Sequence, residues 1–399
     1  MDLSRIKKLA EDGLPEMIET RRHLHRHPEV SYNEFETTHY IINRLKRLDI
    51  AVDQPLETGC VGVIEGNKPS DRVIALRADI DALEMQEEGD HKADFLSQNE
   101  GVAHCCGHDG HTANLLGAAE ILMKYRDEIE GKVLLVFQAG EEKLPGGGRL
   151  LCETGYLQEQ GVDVIYGLHT NPKMAPGQIA LRKGPLMARP DEFEIEIIGK
   201  GGHAASPHDA IDPIVLAAEV VSQLQTIVSR SVNPTEPAVV TVGKLWGGTA
   251  HNIIPERVHM IGTVRTFSQE VAYLIRDRIE AIVKGVTQSA GADYHYEFNE
   301  GYPAVINTPW AADLVMETAQ KILPAENIRW LAEPVMAGED FAFYQQEFPG
   351  VFFFLGSGSE QAESKWSWHH PKYNIDEQCL KTGAALMASL VFQELPEKR

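Results

Sequence analysis

Residues 104–114, HCCGHDGHTAN, concentrate side chains that bind metals or act as nucleophiles. Cys106 and His108 lie two residues apart across a glycine, and a tight turn there would let a thiolate and an imidazole face one cation. The pair could equally be a buried cysteine beside a histidine that caps a helix. Asp109 and His111 could bind metal, orient the ligands or begin that helix.

Two adjacent carboxylates, Glu141 and Glu142, follow the apolar run KVLLVFQ at residues 132–138. Functional groups of α/β proteins collect where strands end. Neighbouring side chains point in different directions, so one glutamate can bind a metal while the other takes a proton from a bound water. A solvated loop is the usual place for such a pair, but the apolar strand before it favours function.

Histidines supply the remaining candidate ligands. His169 ends a second apolar run, DVIYGLH, and one of His369 and His370 is expected to bind metal from a tryptophan-rich loop. One cysteine, three histidines and one glutamate exceed the four positions of a structural zinc site. Two divalent ions about 3.5–4 Å apart would use that many ligands and bring the pKa of bound water to roughly 7. The set predicts hydrolysis.

Composition narrows the class of protein. A chain of 399 residues is expected to form two domains, and 43% hydrophobic with 24% charged residues is ordinary for a globular protein. The net charge of −22, with basic residues scattered, argues against nucleic acid as a partner. We expect a cytoplasmic protein without a membrane partner, because the sequence has no signal-peptide core and no long apolar run. Five cysteines, an odd number, argue against a disulfide framework.

The elements that would position these side chains alternate between strands and helices. Helical periodicity over about 4–26 is followed by a helix to about Leu48, which opens on a predicted capping box of Ser31 and Glu34. The alternation predicts an α/β layer with a largely parallel sheet. Its further strands are expected at 61–65, 72–78, 132–138, 163–169 and 351–356, and its further helices at about 111–125, 308–322 and 376–394.

The pattern changes near residue 183. EFEIEII at 192–198 alternates polar and apolar residues, as a half-buried strand does. A helix (213–230), two strands (238–248 and 257–267), a helix (269–290) and a strand (293–301) are expected to follow. This β-α-β-β-α-β order is ferredoxin-like. We predict one discontinuous domain, 1–182 and 302–399, with an inserted domain at 183–301.

Motifs along nearly the whole chain resemble those of the M20 family of metallopeptidases, and more narrowly its amidohydrolase subfamily. They are RRHLHRHPE (21–29), LRADIDAL (76–83), HCCGHDGHTA (104–113), QAGEE (138–142), GLH (167–169), GKGGHAASPH (199–208), GGTAHNIIPE (247–256), GTVRT (262–266), GEDFAFY (338–344) and HHPKY (369–373). The resemblance implies a dinuclear-metal catalytic domain and an inserted lid domain, which could form a homodimer.

The resemblance also implies roles for single residues. The implied metal ligands are Cys106, His108, Glu142, His169 and His369. The implied catalytic groups are Glu141 as general base, Asp79 as an orienting carboxylate and His203 of the lid, which would steady the tetrahedral intermediate. Asn252 and Arg265 would hold the substrate carboxylate. His370 is often serine in relatives, and Cys105 replaces alanine, so neither is implied as a ligand.

The leading hypothesis is a metal-dependent amidohydrolase. It would cleave N-acyl-L-amino acids to a carboxylic acid and a free amino acid, with two divalent ions (Zn, Mn, Co or Ni) holding a hydroxide and Glu141 as base. A dipeptidase or carboxypeptidase of the same fold would differ only in substrate. A thiol hydrolase would use Cys106 with His108 as base and would survive chelation. A non-catalytic metal-binding protein would bind metal without turnover.

Overall fold

A computed structural model of the chain describes residues 3–396. These residues divide into two compact units. The first extends to Leu186 and continues in Ile306–Glu333 and from Asp340 onward, and the second comprises Met187–Val305 and Pro334–Glu339. Residues 1–2 and 397–399, included in the predicted catalytic domain, lie outside the described residues. No helix within 3–396 is long and apolar enough to span a membrane.

The regular elements follow in chain order. The α-helices are α1 (Leu3–Asp12), α2 (Leu14–Arg26), α3 (Phe35–Arg47), α4 (His108–Lys124), α5 (Gly147–Glu153), α6 (Tyr156–Gln160), α7 (Pro213–Thr226), α8 (Gln269–Ser289), α9 (Pro309–Ile322), α10 (Ala342–Glu347) and α11 (Leu380–Leu390). The strands are β1 (Ala51–Asp53), β2 (Cys60–Glu65), β3 (Lys68–Asp79), β4 (Glu130–Gln138), β5 (Val164–Asn171), β6 (Ile179–Leu181), β7 (Gly184–Met187), β8 (Arg189–Ile198), β9 (Gly202–His203), β10 (Val239–Gly247), β11 (Ile253–Ile254), β12 (Arg257–Thr266), β13 (Asp293–Asn299), β14 (Val305–Asn307), β15 (Ile328–Trp330) and β16 (Gly350–Gly356).

An eight-stranded sheet organises the first unit in the order β1-β2-β4-β3-β5-β16-β6-β15. Its central strands β4, β3, β5 and β16 are parallel neighbours. Asp79 at the end of β3 pairs with Gln138 at the end of β4, and His169 near the end of β5 pairs with Phe354. Parallel strands end at one edge of a sheet, so the predicted site segments share that edge. The predicted α/β fold with a mostly parallel sheet is confirmed.

Helix α4 is buried almost throughout, including every residue from His108 to Ala119. It contacts α2, α11 and β3, and small residues along it make room for this packing. At Gly117, for example, an added Cβ would collide with the sulfur of Met17. Because α4 packs against α2, α11 and β3, its first turn has a fixed position at the edge of the sheet.

The second unit contains a four-stranded antiparallel sheet in the order β10-β12-β8-β13. With α7 and α8 its chain order is β-α-β-β-α-β. Phe193, Ile195 and Ile197 of β8 are buried in one core with Ile279 and Val283 of α8. The alternating side chains of β8 are more exposed, as the sequence pattern predicts for a strand with one solvated face.

Two local predictions about the N-terminal helices are wrong. The helix expected over 4–26 is interrupted at Gly13, where α1 ends and α2 begins with Pro15 in its first turn. Proline favours the first turn because it has no N–H to leave unpaired. The Ser31–Glu34 capping box does not form either, because Ser31 Oγ donates to Asp81 Oδ2 at 2.7 Å instead.

Candidate metal centre

Cys106 and His108 flank a turn that only glycine tolerates well. Gly107 has φ +104°, and an added Cβ would collide with Thr170 Oγ1 and Tyr373 Oη. Helix α4 begins immediately after it, so His108 lies in the first turn. The turn brings both side chains to the edge of the sheet, where they are buried.

The five predicted metal ligands come together there. Cys106 Sγ lies 3.3 Å from His169 Nε2, and His369 Nε2 lies 3.2 Å from Glu142 Oε1. His108 Nε2 lies 3.8 Å from the same carboxylate oxygen. Donor atoms of Cys106, His108 and His169 lie within 4.8 Å of one another, and so do those of Cys106, Glu142 and His369. Sulfur, nitrogen and carboxylate oxygen atoms at these spacings are suited to binding divalent metal ions.

The hydrogen bonds of two histidines leave their Nε2 atoms available to the cluster. His108 Nδ1 lies 3.0 Å from Asp81, and His169 Nδ1 lies 2.8 Å from the carbonyl oxygen of Thr170. Such contacts hold a proton on Nδ1, so Nε2 is the ring nitrogen that can bind a cation. His108 Nε2 is buried and has no hydrogen-bond partner among residues 3–396. A buried nitrogen atom without a partner is suited to binding a cation.

The charges around the cluster also favour a cation. Burial raises the pKa of the Cys106 thiol well above its usual value, and Glu142 and Glu141 raise it further. Burial lowers the pKa of His108, but Asp79 and Asp81 outweigh that effect and raise it to about 10. Both shifts reflect an excess of buried carboxylates, which a divalent ion would offset.

Asp79 lies beside the cluster and is held from two sides. Arg77 Nη1 donates to its Oδ2 at 2.7 Å, and His111 Nδ1 lies 2.6 Å from its Oδ1. His111 Nε2 accepts a hydrogen bond from the N–H of Thr170 at 2.9 Å, so its Nδ1 carries the proton that binds Asp79. Asp79 Oδ2 lies 3.7 Å from His108 Nε2. His111 thus orients Asp79 with both nitrogens engaged.

Glu141 is buried next to Glu142, and the two form a group with His108 whose donor atoms lie within 4.8 Å of one another. The N–H of Asp340 lies 3.4 Å from Glu141 Oε1. The carboxylate of Glu142 therefore faces His369, while that of Glu141 lies beside the donor cluster.

Asp81 also belongs to the site, although the sequence motifs did not identify it. Its Oδ1 lies 3.0 Å from His108 Nδ1, and its Oδ2 accepts a hydrogen bond from the N–H of Glu142 at 2.9 Å. One carboxylate thus orients two predicted ligands from different segments. The available signal was its place in RADIDAL, two residues after Asp79 at the end of a buried strand.

The three predicted lid residues belong to the second unit. His203 is exposed on β9 and pairs with Ile253 of β11, and the N–H of Ala204 donates to the carbonyl oxygen of Asn252 at 3.1 Å. The short two-stranded sheet therefore brings His203 and Asn252 together. Arg265 lies on β12, half-buried, with Nη1 donating to the carbonyl oxygen of Val264 at 3.0 Å.

A buried thiol–imidazole–carboxylate cluster at the edge of a parallel sheet can hold the ions of a metal-dependent hydrolase. The model of the peptidase family M20/M25/M40 matches residues 75–393, and the chain belongs to that family. It is 44% identical over 308 residues to an N-acyl-L-amino acid amidohydrolase of Geobacillus stearothermophilus, covering 77% of this chain and 82% of that protein. It is 39% identical over 381 residues to thermostable carboxypeptidase 2 of Saccharolobus solfataricus, and the match covers 94% of this chain and 95% of that protein.

The fold is also that of a solved relative. The Bacillus subtilis YXEP protein, a dinuclear metal binding peptidase from the M20 family, superposes with a TM-score of 0.82 at 34% identity. The match covers 96% of this chain and 98% of that one. Family, relatives and buried donor atoms together support divalent metal binding and hydrolysis by this chain.

Proposed function

We propose that the chain is a metal-dependent amidohydrolase that cleaves the amide bond of N-acyl-L-amino acids, releasing a carboxylic acid and a free amino acid. The observation that carries the proposal is the buried donor cluster with the carboxylate of Glu141 directly beside it. The name of the Geobacillus stearothermophilus relative supports this choice of substrate class.

Two divalent ions, Zn, Mn, Co or Ni, are assigned to Cys106, His108, Glu142, His169 and His369. When bound, such ions lower the pKa of a coordinated water to roughly 7 and polarise the substrate carbonyl. The thiolate of Cys106 favours a softer ion such as Zn²⁺.

The chain's own residues move the proton. Glu141 takes a proton from the attacking water and passes it to the leaving amine. Its burial beside His108 and Glu142 supports this role, because a carboxylate must lie within hydrogen-bond reach of the proton it takes. The carboxylate of Asp79 is proposed to orient the site, since hydrogen bonds with Arg77 and His111 hold it in place.

The inserted domain, 183–301, is proposed as the lid domain, and residues 1–182 with 302–399 as the catalytic domain. His203 would donate to the developing oxyanion of the tetrahedral intermediate. Asn252 and Arg265 would hold the substrate carboxylate, since a guanidinium can donate two parallel hydrogen bonds to it.

A homodimer through the lid is part of the proposal. Strand β10 forms an edge of its sheet, and its residues Leu245 and Trp246 are 46% and 40% exposed. An edge strand leaves backbone groups unpaired, and a second copy could pair with them. Leu245→Asp should shift sedimentation from dimer to monomer, while Leu274→Asp, exposed on α8 of the same unit, should not. Monomeric wild-type protein would contradict the dimer.

A second candidate is a carboxypeptidase or dipeptidase, which the Saccharolobus solfataricus relative favours by name. A thiol hydrolase with Cys106 and His108 is disfavoured. Burial raises the pKa of the Cys106 thiol, so without a cation it would stay protonated, and His169 Nε2 is the imidazole nitrogen within hydrogen-bond distance of it. A non-catalytic metal protein would leave the buried Glu141 without a role.

The test is a substrate panel on chelator-treated protein reloaded with each of the four metals. N-acetyl- and N-benzoyl-amino acids are compared with free dipeptides and longer peptides by release of the amine. We expect the acyl-amino acids to be hydrolysed fastest and the chelator to abolish turnover. Preferred cleavage of peptides would favour the second candidate, and turnover that survives chelation would overturn the metal mechanism.

A further inference from the structure

A buried network of charged side chains, not used in the reaction above, begins at His25 on α2. His25 is 0% exposed. Its Nδ1 lies 2.7 Å from Asp109 Oδ2, and its Nε2 lies 2.6 Å from Glu87 Oε1. The ring of His25 therefore lies between two carboxylates, with one oxygen within hydrogen-bond distance of each nitrogen.

One end of the network reaches the first turn of α4. Asp109 directly follows His108, and it accepts a second charged hydrogen bond from Arg21 Nε at 2.7 Å. Arg21 is 0% exposed, and its Nη2 donates to Asn374 Oδ1 at 2.9 Å. The first turn of α4, which contains His108, is therefore joined to α2 through the contacts of Asp109 with Arg21 and His25.

The other end reaches the loop that carries His369. Glu87 Oε1 lies 2.5 Å from Lys92 Nζ. Lys92 Nζ in turn donates to the carbonyl oxygens of Tyr373 at 2.6 Å and Pro371 at 3.4 Å. Lys92 is 1% exposed, so its ammonium group binds these carbonyls away from bulk solvent.

Tyr373 supplies a third connection. Its Oη lies 2.9 Å from Thr170 Oγ1, and Thr170 directly follows His169. The three histidine ligands come from a helix, a strand end and a loop, and each has a network contact one or two residues away. The basic side chains of Arg21, Arg22, His25 and Lys92 contact Asp109, Glu87 and Glu377, so every carboxylate of the network has basic partners and its burial is tolerated.

We propose that this network sets the mutual positions of His108, His169 and His369, with His25 and Lys92 as positioning residues for the metal centre. The inference rests on the proposed function. Metal–ligand distances tolerate only about 0.2 Å of error, so segments that are free to shift would bind metal less tightly. Supporting hydrogen bonds to ligands typically change metal affinity by about 10–100-fold.

The test compares His25→Gln and Lys92→Met with wild type. Metal-free protein is titrated with Zn²⁺ against a chromophoric chelator, and the Co²⁺-loaded protein is measured by absorption spectroscopy. Both variants should bind Zn²⁺ about 10–100-fold more weakly and show altered Co²⁺ spectra. Lys92→Met leaves the His25–Asp109 contact intact, so it decides the matter if His25→Gln does not fold.

Arg44→Met is the matched control. Arg44 also joins helices of this unit, donating to Thr20 Oγ1 at 2.6 Å and to Glu120 Oε1 at 2.9 Å, and Glu120 lies near the end of α4 that is remote from His108. This variant should lose stability and keep wild-type affinity and spectrum. Variants of His25 and Lys92 that match wild type in both would overturn the positioning role alone, whereas wild type that binds no metal would overturn the proposed function.

Discussion

Replacing Glu87 by glutamine should destabilise the protein in a way that depends on pH. Burial raises the pKa of Glu87, but His25 and Lys92 outweigh that effect and lower it from 4.5 to about 2. A carboxyl group whose pKa is lower in the folded than in the unfolded state stabilises the fold above the unfolded value. That stabilisation is lost as pH falls from 4.5 towards about 2.

The size of the effect follows from the two pKa values. Their difference corresponds to about 3 kcal/mol of stability near pH 6, of which about 1 kcal/mol remains at pH 3. Wild type should therefore exceed Glu87→Gln by about 3 kcal/mol at pH 6, and the gap should shrink by about 2 kcal/mol at pH 3.

The assay is urea unfolding of metal-free protein, followed by circular dichroism at several pH values from 6 to 3. Glu88→Gln is the control, because Glu88 is the next residue and its side chain is exposed. The control should match wild type throughout. A gap for Glu87→Gln that stays constant, or that widens as pH falls, would refute the claim that Glu87 is ionised within a buried charge network.

Two further predictions concern the ligand turn. Gly107→Ala should cost about 1–3 kcal/mol from its left-handed backbone and should also reduce metal content, because the added methyl group collides with Thr170 and Tyr373. Thermal unfolding and elemental analysis measure both, and a fully metal-loaded variant would contradict the second part. Cys105→Ala should keep wild-type metal content, whereas Cys106→Ala should lose part of it, and equal metal contents of the two variants would contradict the assignment.

The sequence predicted the central sheet well because its strands are buried on both faces. The apolar runs before Glu141 and through His169 mark β4 and β5, and VFFFLG marks β16. Strands β6 and β15 were not predicted, since each has three residues and too little length to show a pattern. The insertion of β16 between β5 and β6 depends on long-range pairing that local patterns do not contain.

The capping-box error shows how tertiary contacts override a local motif. Ser31 and Glu34 have the right spacing, but their side chains are engaged elsewhere. Ser31 donates to Asp81, and the carboxylate of Glu34 accepts from Thr58 Oγ1 and the N–H of Gly140, both at 2.8 Å. Buried polar groups take the partners that the fold brings to them.

The candidate site was predictable in residue type and less so in geometry. Strand-end positions and metal-binding side chains identified Cys106, His108 and His169, which the fold brings together. The sequence could not indicate which ring nitrogen faces the cluster, because the Nδ1 contacts come from Asp81 and a backbone carbonyl. The part played by His25 was equally hidden, since its partners lie 62 and 84 residues away.

The most direct test of the proposed function is the turnover of Glu141→Gln loaded with metal. Glutamine keeps the size of the side chain and cannot take the proton from water. The rate constant kcat for N-acyl-amino-acid hydrolysis should fall about 10²–10⁴-fold, while metal content and KM stay near the wild-type values. Turnover by this variant at close to the wild-type rate, with metal fully bound, would contradict the assignment of Glu141 as the general base.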